Sequence, residues 1–563
     1  MSYIIRLNDR QRHFLLMALL AAISFAIFWP ALGHEFLINW DDRQYILENE
    51  VIRGVTTEHL KSAFTTFYLG NYAPLHLVSY MVDYEIWGLR PAGFIFTNIM
   101  LHTLNGMLLL AFLRRLSGDM AWIFFSALVF LLHPVQVEAV VWVAERKTVL
   151  AMFFFQVSLY CYREYQLAGG RAGRGWYLLS LIVFLAALLT KSVVVIMPLV
   201  IVLLEVCYGS GKPLKKILLQ TLPFAVLAAL TVVIALLSHS EMHGGITDFH
   251  GGSPYATFLT MMPVLLRYLQ LVFWPTGLSA FYDVPIKKNL DPEVLLAAGA
   301  CLLLLWLGWW LYRRKREFFF WYALFFAGLI PVSQIVPIVT LMNDRYLYFP
   351  MLGAAVFPCV MILPRATWAG LGDSNWPLPR TFGLSVVIVA FAVASYVRVG
   401  VWQDSYTLWG DAVNKAPRVA FTHDGFGEGL LQQKMVDEAI NQFNTALRLY
   451  PPAHSLVAGS GIRNDVANTY NNLGVAYGIK GMNDSAIEQF RMAIWLNPQS
   501  DKAYFNMGNS LAKKGLLREA LRSFETAVRL APRNQAYNVH LIQTRELLFF
   551  MDAKGTSSVR SKP

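Results

Sequence analysis

Charge is what this chain has least of. Only 15% of its residues are Asp, Glu, Lys or Arg, against about 25% in a soluble domain, while 56% are hydrophobic. That much apolar side chain cannot be hidden in a water-soluble core, so the chain reads as a polytopic membrane protein. Cysteine is scarce as well: Cys161, Cys207, Cys301 and Cys359 lie in or beside apolar runs at unrelated spacings. They read as small core residues and give no disulfide frame or zinc site. Nor is there a phosphate-cradling Gly-rich loop or a serine elbow. The net charge of +11 invites a nucleic-acid partner. Much of the Lys and Arg, however, sits in short loops between apolar runs, where it reports topology and anchors to lipid head groups. No nucleic acid is expected; the bilayer is.

What is present is a series of apolar runs. The first, Phe14 to Gly33, follows Arg6, Arg10 and Arg12 and is long enough to span, so it reads as a retained first helix with its N-terminus inside. Further spans are expected at Phe94–Leu113, Ala121–His133, to about Tyr162, Trp176–Thr190, Val193–Tyr208 and Ile217–Ser238. Val294–Tyr312, Phe318–Val336, Leu347–Leu363 and Phe382–Val399 complete them. Arg313-Arg314-Lys315-Arg316 marks the inner face after Val294–Tyr312. The short apolar piece Met261–Trp274 is therefore expected to lie in or dip into the membrane. The sum is eleven crossings, with everything beyond Trp402 outside.

Asn39-Trp40-Asp41-Asp42 emerges on the outer side of the first span and opens an external loop over 34–92 with short amphipathic helices. Adjacent carboxylates at a membrane face suit a general base, or a site for a divalent cation such as Mg or Mn. They would equally suit a solvated loop or a helix N-cap. By the same topology His76, the run His133-Pro134-Val135-Gln136-Val137-Glu138, Glu145-Arg146-Lys147, Lys191 and Asn343-Asp344-Arg345-Tyr346 share that side. Carboxylates with convergent Arg and Lys make a site for a phosphate leaving group and a nucleophile that must lose a proton. Lys147 and Asp344, taken singly, read as interfacial anchors or loop ion pairs. His102, on one face with Asn98 and Asn105, reads as a helix-packing hydrogen bond. His239, His243 and His250 with Glu241 and Asp248 read as a solvated Gly-rich loop.

Beyond Trp402 the pattern turns water-soluble and repeats. Tyr470, Leu473, Gly474, Tyr477, Ala486, Phe490, Ala493 and Pro498 return 34 residues later as Tyr504, Met507, Gly508, Leu511, Ala520, Phe524, Ala527 and Pro532. That is the tetratricopeptide period. A weaker copy runs through Phe426, Gly427, Leu430, Ala439, Phe443, Ala446 and Pro451, with an insertion around His454–Val466. The reading gives a membrane domain over 1–402 and a repeat domain over 403–551, with repeats near 420–453, 467–500 and 501–534, a capping helix over 535–551 and a disordered tail over 552–563. The fold class is all-α: a helix bundle followed by an α-solenoid. Such arrays usually bind a peptide or protein.

Trp40-Asp41-Asp42, Tyr72-Ala73-Pro74-Leu75-His76, Asn98 with His102, His133-Pro134 with Glu138 and Arg146, and Asp344-Arg345-Tyr346-Leu347-Tyr348-Phe349-Pro350 occur in this order before the repeats. Together they resemble the transmembrane-and-tetratricopeptide O-mannosyltransferase family, within the GT-C class of glycosyltransferases, as a bacterial relative. The resemblance implies a sugar on a polyprenyl phosphate, transferred with inversion to a Ser or Thr hydroxyl of an exported protein on the outer face of the membrane; compact loops and few repeats favour a bacterial cytoplasmic membrane. It implies Asp41 or Asp42 as base or metal ligand, and Arg146 and Arg345 near the donor phosphate; Lys191, at the outer end of a span, is expected to join them. His76, His133, Glu138 and Tyr346 fall at further site positions. The departures are the few repeats and Glu145-Arg146-Lys147, where Gly-Arg-acid is more usual. A GT-C transferase acting on a lipid or glycan, or a non-catalytic envelope scaffold using its repeats for protein binding, are the alternatives.

Overall fold

The computed structural model describes residues 9–117, 120–209, 211–241, 248–363, 378–455 and 461–559. The chain divides into two units, Met1–Asp404 and Ser405–Pro563. Both are helical, with no β-strand among the described residues. The first holds α1 (Asp9–Phe28), two short helices of the first loop, α2 (Thr57–Thr65) and α3 (Pro74–Trp87), then α4 (Pro91–Arg114), α5 (Met120–Leu132), α6 (Val137–Val141) and α7 (Arg146–Leu167). It continues with α8 (Gly170–Leu188), α9 (Met197–Tyr208), α10 (Leu214–Glu241), α11 (Pro254–Phe273), α12 (Pro292–Arg314), α13 (Arg316–Leu329), α14 (Met351–Ile362) and α15 (Leu378–Val401).

Among the described residues seven helices, α1, α4, α8, α10, α11, α12 and α15, are each long and apolar enough to cross a bilayer. They become eight if α5 and α6, bent by 49° at the break between them, count as one. The eleven crossings read from the sequence include α7, α9, α13 and α14, which fall short on length or apolarity. Helices α9, α13 and α14 have 12, 14 and 12 residues. The reason lies at their ends. Ser192–Ile196, Ile330–Val332 and Asp344–Leu347 tighten into 3-10 turns, so apolar sequence there is spent on irregular backbone beside the polar site.

Helix α11 has 20 residues, longer than the piece expected from Met261. Pro254 at its first turn and Ser253, which accepts from the Ala256 N–H at 3.1 Å, extend its start. Just before it, His250 lies 2.9 Å from the Ile338 carbonyl; near its end, the Val272 carbonyl lies 2.9 Å from His133 Nε2. Both partners sit where α5 stops and α13 gives way to a loop, so α11 lies across that end of the bundle. Of the His-acid loop before it, residues 242–247 lie outside the described residues.

The bundle core forms around α4, whose Asn98, His102 and Asn105 are fully buried on one face. His102 Nδ1 meets the Tyr348 hydroxyl at 2.8 Å and Nε2 the Leu131 carbonyl at 3.1 Å, and Asn105 donates to the Val149 carbonyl at 2.9 Å. Ser24 with Thr103, and Ser158 with Ser180, tie further helix pairs at 2.8 and 3.1 Å. Such bonds supply specificity where lipid removes the hydrophobic drive between helices. Gly353 lets α14 approach α13 closely: a Cβ there would stand 2.4 Å from the Trp321 carbonyl oxygen. By contrast α12 exposes Leu302, Leu303 and Leu305, as a lipid-facing helix should.

The second unit begins with α16 (Ser405–Lys415) and continues as helix pairs: α17 (Ala420–Gln432) with α18 (Val436–Leu449), α19 (Gly461–Ile479) with α20 (Asn483–Leu496), and α21 (Asp501–Lys513) with α22 (Leu517–Leu530). One contact recurs in every pair. A Cβ on Gly427, Gly474 or Gly508 would stand 2.6 Å from the ring of Phe443, Phe490 or Phe524 respectively. The glycine in the first helix admits the phenylalanine of the second, which is why the two residue types repeat together. The last helix, α23 (Gln535–Val559), continues past the expected end at Met551, since no proline interrupts its backbone bonds. Residues 560–563 of the expected tail lie outside the described residues.

Candidate active site

The site is organised by one segment, Trp142 to Lys147, held at four places. Asn98 donates to the Trp142 carbonyl at 3.2 Å, and the Tyr80 hydroxyl to the Val143 carbonyl at 2.7 Å. The Ala144 N–H donates to Asp42 at 2.8 Å. Arg146 donates to Asp83 and to the Phe94 carbonyl at 2.6 Å each, and to Asn98. A turn so pinned presents its remaining side chains in a fixed direction.

Those side chains are Glu145 and Lys147. The Glu145 carboxylate is buried and faces three cations: Lys191 Nζ at 3.0 Å, Arg345 Nε at 3.4 Å and Lys147 Nζ at 4.0 Å. Burial alone would raise its pKa, yet Lys191, Lys147 and Arg345 hold it well below the ordinary glutamate range. Lys147 stands 5.1 Å over the Tyr45 ring, and Arg345 5.3 Å over Trp142 and 5.4 Å over Tyr346. Glu138 clamps Arg345, accepting from its backbone N–H at 3.1 Å and from its guanidinium. The side chains of Lys191, Lys147 and Arg345 remain 24%, 13% and 13% exposed, so the cluster can be reached from outside the fold.

The two aspartates have different surroundings. Asp42 is buried, and each of its oxygens accepts a backbone N–H, from Leu37 at 3.0 Å and Ala144 at 2.8 Å. Burial pushes its pKa up to about 7 against those bonds. Asp42 thus fastens the first loop to the Trp142–Lys147 segment. Asp41 is half-buried and lies in the field of Lys147 and Arg345, which oppose the rise in its pKa caused by burial. Its neighbour Trp40 stacks on Trp142 with ring centroids 4.1 Å apart, and Trp402 closes the stack at 6.0 Å from Trp142.

The other expected site residues separate. Arg146, expected at the donor phosphate, is fully buried and turned into the bundle, with its guanidinium also 5.4 Å over Tyr80. His133 spends its groups elsewhere: Nδ1 accepts from the Val135 N–H at 3.3 Å, Nε2 lies 2.9 Å from the Val272 carbonyl, and its ring packs on Phe391. His76 is buried between the Tyr45 and Tyr80 rings, and burial, then the charge of Lys147, hold its pKa well below the ordinary histidine value. Tyr346 joins its hydroxyl to Thr340 at 2.6 Å and lends its ring to Arg345. Sequence reasoning missed the weight of Glu145, Lys147, Tyr45 and Trp142; the only signal was the alternation of charge at 145–147.

A divalent cation at Asp41 and Asp42 does not suit these residues. Both Asp42 oxygens already accept backbone donors, and the charged groups facing Asp41 include two cations. Among the described residues no three His, Cys, Asp or Glu converge as a ligand set.

Comparison with known proteins bears on both units. Two tetratricopeptide repeat models match residues 467–500 and 501–534. Mouse Protein O-mannosyl-transferase TMTC3 is 23% identical over 509 residues, 81% of this chain and 53% of that protein. Its human counterpart is 22% identical over 534 residues, 86% of this chain and 55% of that protein. Mouse Protein O-mannosyl-transferase TMTC2 is 36% identical over 110 residues, 19% of this chain and 13% of that protein. The chain thus spans about half the length of the relatives it matches most fully. A helical membrane unit joined to tetratricopeptide repeats, with similarity along 81% of its length to an animal O-mannosyl-transferase, resembles the TMTC family of protein O-mannosyl-transferases.

Proposed function

We propose that the protein is an integral membrane glycosyltransferase of the GT-C class, moving a sugar from a polyprenyl-phosphate donor to a Ser or Thr hydroxyl of an exported protein. The observation that carries this reading is the convergence of Lys147, Lys191 and Arg345 on buried Glu145, with Asp41 alongside. Lys147, Lys191 and Arg345 are balanced by Glu145, Glu138 and Asp41, yet all three cations stay partly exposed and converge their N–H donors on one place, and a polyprenyl phosphate is the anion a membrane-borne donor carries. Such preorganised charge stabilises a leaving group whose charge grows in the transition state.

The reaction is a single displacement. The acceptor oxygen attacks the anomeric carbon, the bond from that carbon to the phosphate oxygen breaks, and the sugar inverts. Asp41 takes the hydroxyl proton; its carboxylate is the less buried of the pair and has no backbone pin. Lys147, in place of Arg146, joins Lys191 and Arg345 at the departing phosphate. Asp42, Glu138 and Arg146 position those groups. The Trp40 ring beside Asp41 offers an apolar face to the pyranose. The repeats hold the acceptor protein. We place the enzyme in a bacterial cytoplasmic membrane with the site and repeats on the outer side, on the strength of the positive-inside pattern, compact loops and few repeats.

The test uses the full chain in detergent with radiolabelled polyprenyl-phosphate sugars and an extract of envelope proteins. Label should pass to protein with wild type and fail to pass with Asp41→Asn at equal folding. Label in lipid alone would overturn the protein acceptor; transfer from no donor would overturn the glycosyltransferase reading.

A further inference from the structure

Polar side chains on the first helices of the repeat unit bond across to one another. Asn472 donates to Glu428 at 2.6 Å and Asn506 to Asn471 at 2.9 Å, joining successive repeats. The unit's open feature lies elsewhere. A cavity of about 300 Å³ opens between α20 and α22, the second helices of two successive repeats, over a floor supplied by α21.

Its floor is apolar, with Met507 and Leu511, and its wall carries Trp495, 52% exposed. Arg463 stands 5.4 Å over that indole and is fixed there by bonds to the Leu496 and Trp495 carbonyls at 2.8 and 3.2 Å. Arg491 and Arg522 flank the opening; both are exposed, and neither is joined to a carboxylate, although Glu519 lines the same cavity. An exposed indole between guanidiniums, above an apolar floor, is the composition of a recognition hot spot rather than of a solvated helix face. The surrounding charge has the same sign: residues 467–534 hold nine Lys and Arg against five Asp and Glu.

We propose that this groove docks an acidic stretch of a partner polypeptide, seating one apolar side chain on Met507 and Leu511 while flanking carboxylates meet Arg491 and Arg522. Two guanidiniums on opposite walls fit carboxylates on either side of a central apolar residue, which an extended peptide supplies at alternate positions. A flat lipid surface would reach the arginines but not the floor. The inference deepens the reading of the repeats as the part that holds a protein, and it stands whether or not the membrane unit transfers sugar.

The full chain in detergent, titrated into the fluorescein-labelled peptide Gly-Asp-Leu-Asp-Leu-Asp-Gly, tests it by anisotropy. The acidic peptide should bind, and its counterpart with Lys in place of Asp should not. Arg491→Ser with Arg522→Ser should weaken binding about tenfold or more. Lys513→Ser, an exposed change on the side of α21 away from Leu511, should leave it unchanged, and so serves as the control for charge alone. Equal binding of both peptides, no binding of the acidic one, or equal affinity for the double variant would overturn the proposal. Displacement of the peptide by phosphatidylglycerol vesicles from wild type and double variant alike would overturn it in favour of a lipid surface. Because the readout is binding alone, a failure here is separable from a failure of transfer in the labelling experiment.

Discussion

In the repeat unit one contact is made three times; in the membrane unit the contacts that matter are each made once. Gly427, Gly474 and Gly508 admit Phe443, Phe490 and Phe524 at the same 2.6 Å. The Trp142–Lys147 segment, by contrast, is held by Asp42, Tyr80, Asp83, Asn98 and the Phe94 carbonyl, drawn from the first loop, α3 and α4. The difference teaches where damage should spread. A repeat contact is local in sequence, so its loss stays within a repeat and its neighbours. The segment gathers partners far apart in the chain, so one lost partner moves several site groups together.

The largest expected effect is at Asp41. Asp41→Asn should lower sugar transfer by about 10²–10⁴-fold, the usual contribution of a general base, with thermal unfolding unchanged. Asp42→Asn should lower transfer and unfolding temperature together, because an amide nitrogen would face a backbone N–H. Equal unfolding temperatures for the two variants would erase the distinction between base and fastener.

Next is Arg146. Arg146→Met leaves Asp83 buried beside an apolar chain and should destabilise the membrane unit by about 3–5 kcal/mol, the cost of removing one partner from a buried pair. Differential scanning calorimetry of the full chain should show that transition fall while the repeat transition stays. A coupled shift of both would break the contrast between the units.

A pH effect sharpens the site further. Burial lowers the Lys191 pKa to about 8, against the pull of Glu145. Its folded value therefore lies below the ordinary 10.5. Lys191 is a cation below pH about 8 and loses its charge above it, so donor affinity should weaken as pH rises through that value. The unfolded chain keeps the proton up to 10.5, so this group favours folding increasingly from pH about 8 to 10.5. Lys191→Arg should move the alkaline loss of donor binding upward, measured as KM against pH.

The smallest effect belongs to the repeats. Gly474→Ala gains about 1 kcal/mol of helix propensity but drives a methyl into Phe490, and overpacking of that kind costs about 1–3 kcal/mol. The repeat transition should fall by a few degrees in calorimetry, and the transition of the membrane unit should not change.

The regular parts of the molecule were legible because their signals are periodic. Gly474 and Phe490 recur as Gly508 and Phe524, and the apolar runs of α1, α10, α12 and α15 are long enough to read by length alone. The crossing count was harder. Helices α9 and α14 shorten into 3-10 turns that no run of apolar letters distinguishes from continued helix.

Sequence by itself determined the all-α class and the tetratricopeptide register, and it named Asp41, Asp42, Glu138, Glu145, Lys147, Lys191 and Arg345 as candidates. It could not rank neighbours. Asp41 and Asp42 are adjacent and chemically alike, yet only Asp42 meets the Leu37 and Ala144 N–H groups. Arg146 and Lys147 open the same helix, but successive residues point about 100° apart, which sends one cation to Asp83 and the other toward Glu145. Which member of each pair is pinned away from Glu145 depends on Ala144 for Asp42 and on Asp83 for Arg146, partners more than sixty residues away that only the tertiary structure brings into place.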